Sequence, residues 1–195
     1  TSYVVADQIS KGFLTEDTMV DISEECWRME GSRMFIKEGT QVSISELLKG
    51  VIIQSGNDAS CALAEKIAGS QSAFADLMNN YAEQLGLENT NFVNPTGLPD
   101  INHYSTANDI AKLSIRLIED FPDNYALFKE KEYTFNNIRQ LNRNSLLWQD
   151  DSIDGIKTGH TNASGYCLVA SAKRDEMRLI ACLLYTSDAA DEFSC

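Results

Sequence analysis

The sequence predicts one α+β domain, with helices in the middle of the chain and antiparallel strands toward its C-terminal end. Capped, amphipathic helical segments occupy roughly residues 43–118. Beyond Pro122 the pattern changes to short β-prone runs. The length of 195 residues suits a single domain built around one core.

The N-terminal part predicts a helix followed by a small β ribbon. Residues 1–12 carry spaced apolar side chains with no cap before them, which is typical of a helix entered partway through. Residues 18–23 and 32–36 are short β-prone runs, and Glu38-Gly39 supplies a turn. We expect these runs to form the ribbon.

The clearest helix begins after Ser43, which makes a capping box with Glu46 ahead of apolar side chains at helical spacing. Asp58 can cap a second, Ala-rich helix that ends before Gly69, a residue suited to the left-handed C-terminal position. The intervening tripeptide Ser55-Gly56-Asn57 is therefore expected in a turn between two helices.

Two further helices are predicted, at residues 72–85 and after the capping box of Thr106 and Asp109. The turn-rich stretch between them, residues 89–104, is expected to be a loop. The remaining candidates are strands, and a polar turn at residues 173–176 would join the last two as a hairpin. The strand candidates are residues 132–135, 155–158, 166–172 and 177 onward.

The composition excludes several classes of function. Acidic residues outnumber basic ones, 29 to 16, and the net charge of −13 would repel a phosphate backbone, so nucleic acid is not an expected partner. No run of about 18 apolar residues is present, so no spanning helix is predicted. The N-terminus also lacks the basic-then-apolar pattern of a signal peptide.

The five cysteines predict no metal centre. They form no Cys-x-x-Cys pair, and no histidine stands at zinc-finger spacing, so neither a metal nor another cofactor is expected. For these cysteines we favour buried free thiols over a disulfide.

The last residues of the chain differ in character from the rest. Residues 182–195 resemble the in-frame translation of a sequencing-library adapter, so we expect the natural domain to span residues 1–181. The alternative is a genuine strand followed by a short acidic tail.

Two polar clusters stand out against their surroundings. One is Ser55-Gly56-Asn57, and the other is Lys157-Thr158-Gly159 with the following His160, at the end of an apparent strand. Ser55-Gly56-Asn57 alone is common turn chemistry, and Lys-Thr-Gly alone is scarcely more specific. Together they match, in order and about a hundred residues apart, the second and third motifs of the penicillin-recognising serine enzymes, Ser-x-Asn and Lys-Thr-Gly.

Longer stretches around both clusters closely resemble one family, the low-molecular-weight penicillin-binding proteins that are serine-type D-alanyl-D-alanine carboxypeptidases. The resemblance implies a β-lactamase-like, transpeptidase-type fold, an antiparallel sheet flanked by helices with a helical subdomain. It covers roughly residues 1–181. The matching stretches are residues 48–59, 86–97, 129–148 and 154–172.

The activity implied by this resemblance is removal of the terminal D-alanine from the peptidoglycan stem pentapeptide through an acyl-enzyme. Ser55 would join the proton relay toward the leaving amine, and Asn57 would hold a substrate carbonyl with its side-chain amide. The implied partners are stem peptides ending in D-Ala-D-Ala and β-lactam inhibitors.

The second cluster is implied to bind the substrate carboxylate and the developing oxyanion. Lys157 would supply positive potential, and Thr158 would donate its hydroxyl to the carboxylate. Gly159 would let the substrate lie close to the strand, and the backbone N–H of His160 would donate to the oxyanion. Neither histidine is needed as a general base.

The first motif of the family is missing. No serine in the 195 residues is followed three positions later by lysine, and the family places Ser-x-x-Lys just before the segment that matches Thr1. We therefore expect a chain that begins after its nucleophile and cannot form an acyl-enzyme.

Two alternatives remain. A non-catalytic homologue could bind peptidoglycan without cleaving it. A β-lactamase is less favoured for two reasons. Gly56 stands where those enzymes usually have Asp. Residues 132–136 loosely resemble the loop whose glutamate helps to deacylate class A β-lactamases, but Glu132 falls in a predicted strand. The full protein is expected in the periplasm, with a signal peptide and a C-terminal amphipathic membrane anchor outside these residues.

Overall fold

The computed structural model of the protein describes residues 1–184 and contains seven α-helices and seven β-strands in that range. The α-helices are α1 (Ser2–Ser10), α2 (Glu24–Trp27), α3 (Ile44–Lys49), α4 (Asn57–Ala68), α5 (Gln71–Gln84), α6 (Ala107–Asp120) and α7 (Pro122–Tyr125). The strands are β1 (Met19–Asp21), β2 (Gln41–Ser43), β3 (Glu132–Phe135), β4 (Ile138–Leu141), β5 (Ile153–Thr161), β6 (Gly165–Arg174) and β7 (Met177–Leu184).

All strand pairs are antiparallel, and they form three sheets in the described part of the chain: β1-β2, β3-β4 and β5-β6-β7. The predicted α+β class is therefore confirmed. The hairpin turn between β6 and β7 also lies where the sequence predicts it, around Asp175 with its positive φ of 53°.

The predicted ribbon is only half right. β1 pairs with residues 41–43 and not with residues 32–36. The reason is local, because the backbone N–H groups of Met34, Phe35 and Ile36 all donate to the Asp58 carboxylate and are not free for a strand partner. Phe35 also has a left-handed φ of 69°, which interrupts an extended strand.

Two of the three predicted helix caps are correct. Ser43 accepts a hydrogen bond from the N–H of Glu46, and Thr106 accepts one from the N–H of Asp109. The prediction that Asp58 caps α4 is wrong, because that helix begins at Asn57 with Gly56 as its N-cap, and the Asp58 carboxylate binds the N–H groups of residues 34–36. The sequence does not reveal that α3 continues as a π-helical turn over Gly50–Gln54. Such turns are frequent at functional sites, and this one ends at Ser55.

One core runs through most of the molecule. Its largest group of buried side chains joins the helices to the three-stranded sheet, from Val5 on α1 through Leu47 and Ile52 to Ile156 on β5 and Val169 on β6. A smaller group around Phe74 packs α5 against α1 and α4. The turn after α3 and the strand β5 are thus anchored in a common core.

The expectation of free thiols is wrong for two of the cysteines. Cys26 on α2 and Cys61 on α4 form a disulfide, with their Cα atoms 5.2 Å apart and both residues fully buried. Their sequence separation of 35 residues gave no sign of this proximity. Cys167 and Cys182 are free and partly exposed.

The predicted adapter segment lies mostly outside the described residues. Its first three residues, 182–184, complete β7 and pair with β6. The origin of this segment stays a prediction, as does the domain boundary at residue 181. Among residues 1–184, no helix has both the length and the apolar character needed to cross a membrane.

Candidate active site

The Ser55-Gly56-Asn57 turn is shaped by the π-helical turn before it. Ser55 adopts a left-handed φ of 64°, and the N–H of Gly56 donates to the carbonyl of Gly50 at 2.9 Å. A Cβ at position 56 would come within 2.9 Å of Asp58 Oδ1, so only glycine fits there without displacing that carboxylate. The turn therefore exposes part of Ser55 while Gly56 and Asn57 stay buried.

Asn57 opens α4 and is held by the segment that follows α2. Its backbone N–H donates to the carbonyl of Ser32 at 2.8 Å, and its side-chain Nδ2 donates to the carbonyl of Glu30 at 2.6 Å. The residue is only 8% exposed. An amide nitrogen carries two hydrogens, so a second N–H and the side-chain oxygen remain for other partners.

The second cluster lies on β5, which forms one edge of the three-stranded sheet in the described part of the chain. Thr158, Gly159 and His160 stand opposite Leu168, Cys167 and Tyr166 of β6. Gly159 and His160 are exposed. An edge strand of this kind can accept an extended peptide as an additional strand.

Lys157 is the half-buried cation of this strand. Burial lowers the pKa of its ammonium group from the usual 10.5 to about 8, and the positive charge of Arg143 acts in the same direction. Its Nζ donates to the carbonyl of Thr158 at 2.9 Å. A partly buried ammonium group has lost part of its hydration, and an anionic ligand can compensate for that loss.

Arg143, which the sequence does not single out, contacts a neighbour of the first cluster, and its charge lowers the pKa of Lys157 in the second. Its Nη2 donates to Ser32 Oγ at 2.9 Å, and that hydroxyl donates to the carbonyl of Gln54, directly before Ser55, at 2.7 Å. The carbonyl of Ser32 accepts the N–H of Asn57. The positive charge of Arg143 also lowers the pKa of Lys157. Nothing in the local pattern of residues 142–144 distinguishes this arginine from a surface residue.

A cavity of about 230 Å³ lies beside Lys157. Its wall includes Thr1 at the start of α1, Ile52 of the π-helical turn and the loop segment Asn94–Gly97. The side chain of Asn94 fixes that loop, since its Oδ1 accepts hydrogen bonds from the N–H groups of Thr96 and Gly97. The loop predicted at residues 89–104 thus forms part of the wall of this cavity.

The two histidines lie in different places. His103 is part of the cavity wall, and burial lowers the pKa of its imidazole. His160 is exposed on β5, and its ring packs against Tyr166 with the centroids 4.2 Å apart.

One group of potential metal ligands occurs among residues 1–184. Cys26, Cys61 and Glu65 bring their ligand atoms within 4.8 Å of one another. The two sulfur atoms are bonded to each other, so they do not offer the thiolates that a metal ion would need.

Comparison with known protein families identifies the family of this chain. The sequence profile of the D-alanyl-D-alanine carboxypeptidase family matches residues 1–187. The chain belongs to this family. The resemblance drawn from the sequence is therefore confirmed, and so is the penicillin-binding, transpeptidase-like fold that it implies.

Individual relatives agree with this assignment. D-alanyl-D-alanine carboxypeptidase DacC of Escherichia coli is 50% identical over 191 residues, which are 94% of this chain and 48% of DacC. The structure of penicillin binding protein 5 from Haemophilus influenzae aligns with a TM-score of 0.90 and 47% identity, covering 93% of this chain and 54% of that one. The chain spans about half the length of the curated relatives it matches.

A more distant structure carries a ligand. Penicillin-binding protein D2 of Listeria monocytogenes, 28% identical with a TM-score of 0.84, has been crystallised in its ampicillin bound form. It covers 94% of this chain, which in turn covers 75% of that protein.

Proposed function

We propose that the protein carrying this sequence is a serine-type D-Ala-D-Ala carboxypeptidase, which removes the terminal D-alanine from peptidoglycan stem pentapeptides through an acyl-enzyme. The observation that carries this proposal is the position of Arg143, which contacts the Ser32 link to the Ser55-Gly56-Asn57 turn and lies near Lys157. These contacts support a single site shared by the two family motifs.

The substrate peptide would lie along β5 as an added strand. Lys157 and the hydroxyl of Thr158 would hold its terminal carboxylate, and Gly159 would allow close approach of the peptide backbone. The backbone N–H of His160 would donate to the oxyanion of the tetrahedral intermediate.

The turn between α3 and α4 would act on the other side of the scissile bond. Ser55 would pass a proton toward the leaving D-alanine amine, because its hydroxyl can both accept and donate a hydrogen bond. Asn57 would hold a carbonyl of the stem peptide with its second side-chain N–H.

The 195 residues contain no Ser-x-x-Lys motif to supply the nucleophile. In the proposal, a Ser-x-x-Lys segment precedes Thr1 in the full protein and reaches the cavity beside Lys157, which Thr1 helps to line. The 195 residues alone would then bind anionic peptides and form no acyl-enzyme.

The proposed compartment is the periplasm, where peptidoglycan is accessible. The Cys26–Cys61 disulfide supports this location, since disulfides persist mainly in oxidising compartments. β-Lactams are the proposed inhibitors, because their carboxylate and strained amide present to Lys157 and the oxyanion donor the same groups as a D-Ala-D-Ala terminus.

The test uses the chain joined in frame to the segment of E. coli DacC that precedes its match to Thr1. Release of D-alanine from a synthetic stem pentapeptide is measured, with hydrolysis of a penicillin followed in parallel. We expect D-alanine release, and we expect its loss in the Lys157→Met variant. A folded hybrid that releases no D-alanine but binds the peptide would support the non-catalytic homologue, whereas rapid penicillin hydrolysis alone would support the β-lactamase.

A further inference from the structure

A closed ring of contacts connects the disulfide to the side chain of Asn57. Cys26 and Cys61 are joined across α2 and α4. Four residues after Cys26, the carbonyl of Glu30 accepts the 2.6 Å hydrogen bond from Asn57 Nδ2. Asn57 itself precedes Cys61 by four residues on α4, so the two side chains lie on the same face of that helix. The ring therefore passes through one disulfide, a short backbone stretch, one hydrogen bond and one helical turn.

Apart from the disulfide, few contacts hold the stretch between Cys26 and Glu30 against the neighbouring helices. The helix α2 is one turn long, and a helix of that length has no stability of its own. Its polar contacts to the neighbouring helices are that Ser23 Oγ donates to Glu65 Oε1 at 3.1 Å and that Gln71 donates to Glu25 at an exposed site. Within the stretch itself, Met29 is partly buried against the main core, and Gln71 Nε2 lies 3.9 Å from its sulfur. The disulfide is the covalent element that fixes where the carbonyl of Glu30 lies.

We propose that the Cys26–Cys61 disulfide is a positioning element for Asn57. It holds the Glu30 carbonyl at the distance at which that carbonyl binds one N–H of the Asn57 amide, and so it directs the second N–H toward the site. The catalytic meaning of this orientation rests on the proposed function, but the coupling between the disulfide and the amide does not.

The coupling is measured by NMR on the 195-residue chain as it is. The hydrogen exchange rate of the Asn57 side-chain amide is compared between the native chain and the Cys26→Ala, Cys61→Ala double variant. Asn79 provides an internal reference, since its Nδ2 makes the same kind of bond to the carbonyl of Phe92 at 2.7 Å, away from the disulfide. The partly exposed Asn79 amide is expected to exchange by local opening, which a lower global stability does not change. We therefore expect exchange at Asn57 to become about tenfold faster while Asn79 keeps its rate.

Two controls separate positioning from general stability. Cys167→Ala removes a free thiol and is expected to leave both amides unchanged. Reduction of the native chain with dithiothreitol adds two electrons and two protons to the disulfide, giving two thiols and cyclic oxidised dithiothreitol, and should reproduce the double variant without any mutation.

Three results would overturn the proposal. The first is an unchanged Asn57 exchange rate in the double variant or the reduced chain. The second is an equal loss of protection at Asn57 and Asn79, because this would be general unfolding. The third is a non-reduced peptide map without the Cys26–Cys61 cross-link. A failure of D-alanine release in the hybrid enzyme would instead refute the proposed function and leave this coupling intact.

Discussion

Asp58 shows how much one buried side chain organises next to the proposed site. Its carboxylate accepts hydrogen bonds from the N–H groups of Met34, Phe35 and Ile36 at 2.9, 2.9 and 3.2 Å, and the residue is 1% exposed. No Lys or Arg among the described residues forms an ion pair with it. The N–H of Ala59 also donates to this carboxylate, at 2.9 Å, so four backbone N–H dipoles stabilise its charge in place of a counterion.

We expect Asp58→Asn to lower the free energy of unfolding by about 2 to 3 kcal/mol, because the amide nitrogen cannot accept the bonds that a carboxylate oxygen accepts. Urea denaturation followed by circular dichroism measures the change. Asp76→Asn on the exposed side of α5 is the matched control and should have almost no effect. Equal stability of both variants would contradict the role given to Asp58.

Lys157 is expected to lower the stability of the folded chain, because its charged form is buried. Its pKa of about 8 lies below the usual 10.5, so the folded chain binds fewer protons than the unfolded chain between these pH values. Its contribution to stability therefore rises with pH across this window.

The corresponding prediction is that Lys157→Met stabilises the chain by about 1 to 3 kcal/mol at pH 7, and that this gain shrinks as the pH rises from 8 toward 10.5. Chemical denaturation of both proteins across that pH range measures it, and the difference between them cancels the other titrating groups. A gain that is independent of pH would show that the charge of Lys157 is not the cause.

At the scale of secondary structure elements, features set by residues close in sequence are predicted correctly, whereas features that depend on distant residues are not. The capping boxes at Ser43 and Thr106 place two helix starts correctly, because cap and helix are within four residues of each other. The second ribbon strand was misplaced, since its N–H groups bind Asp58, more than twenty residues away. The π-helical turn has no comparable sequence signal.

The disulfide between α2 and α4 likewise depends on residues that are distant in sequence. It closes a loop of 35 residues, and loop-closure entropy for that length predicts a stabilisation of about 3 to 4 kcal/mol. The Cys26→Ala, Cys61→Ala variant should therefore unfold at a clearly lower urea concentration than the native chain. If the two midpoints coincide, the disulfide does not contribute to the stability of the native state.

At the scale of the whole molecule, the site depends on the complete fold. The turn at Ser55 and the strand at Lys157 are about a hundred residues apart, and both are attached to the core that runs from α1 to β6. The sequence identified both motifs by their order and spacing. It could not identify Arg143 or the cavity wall at residues 94–97, because these depend on how distant segments pack.

The most direct test of this account is the intact mass of the protein after exposure to a penicillin. The hybrid with the DacC segment is expected to gain the mass of one penicillin, and the 195-residue chain alone is expected to gain none. Stoichiometric modification of the chain alone would contradict the assignment of the nucleophile to the missing motif. A folded hybrid that stays unmodified would contradict the central claim that these two motifs form an acyl-enzyme site.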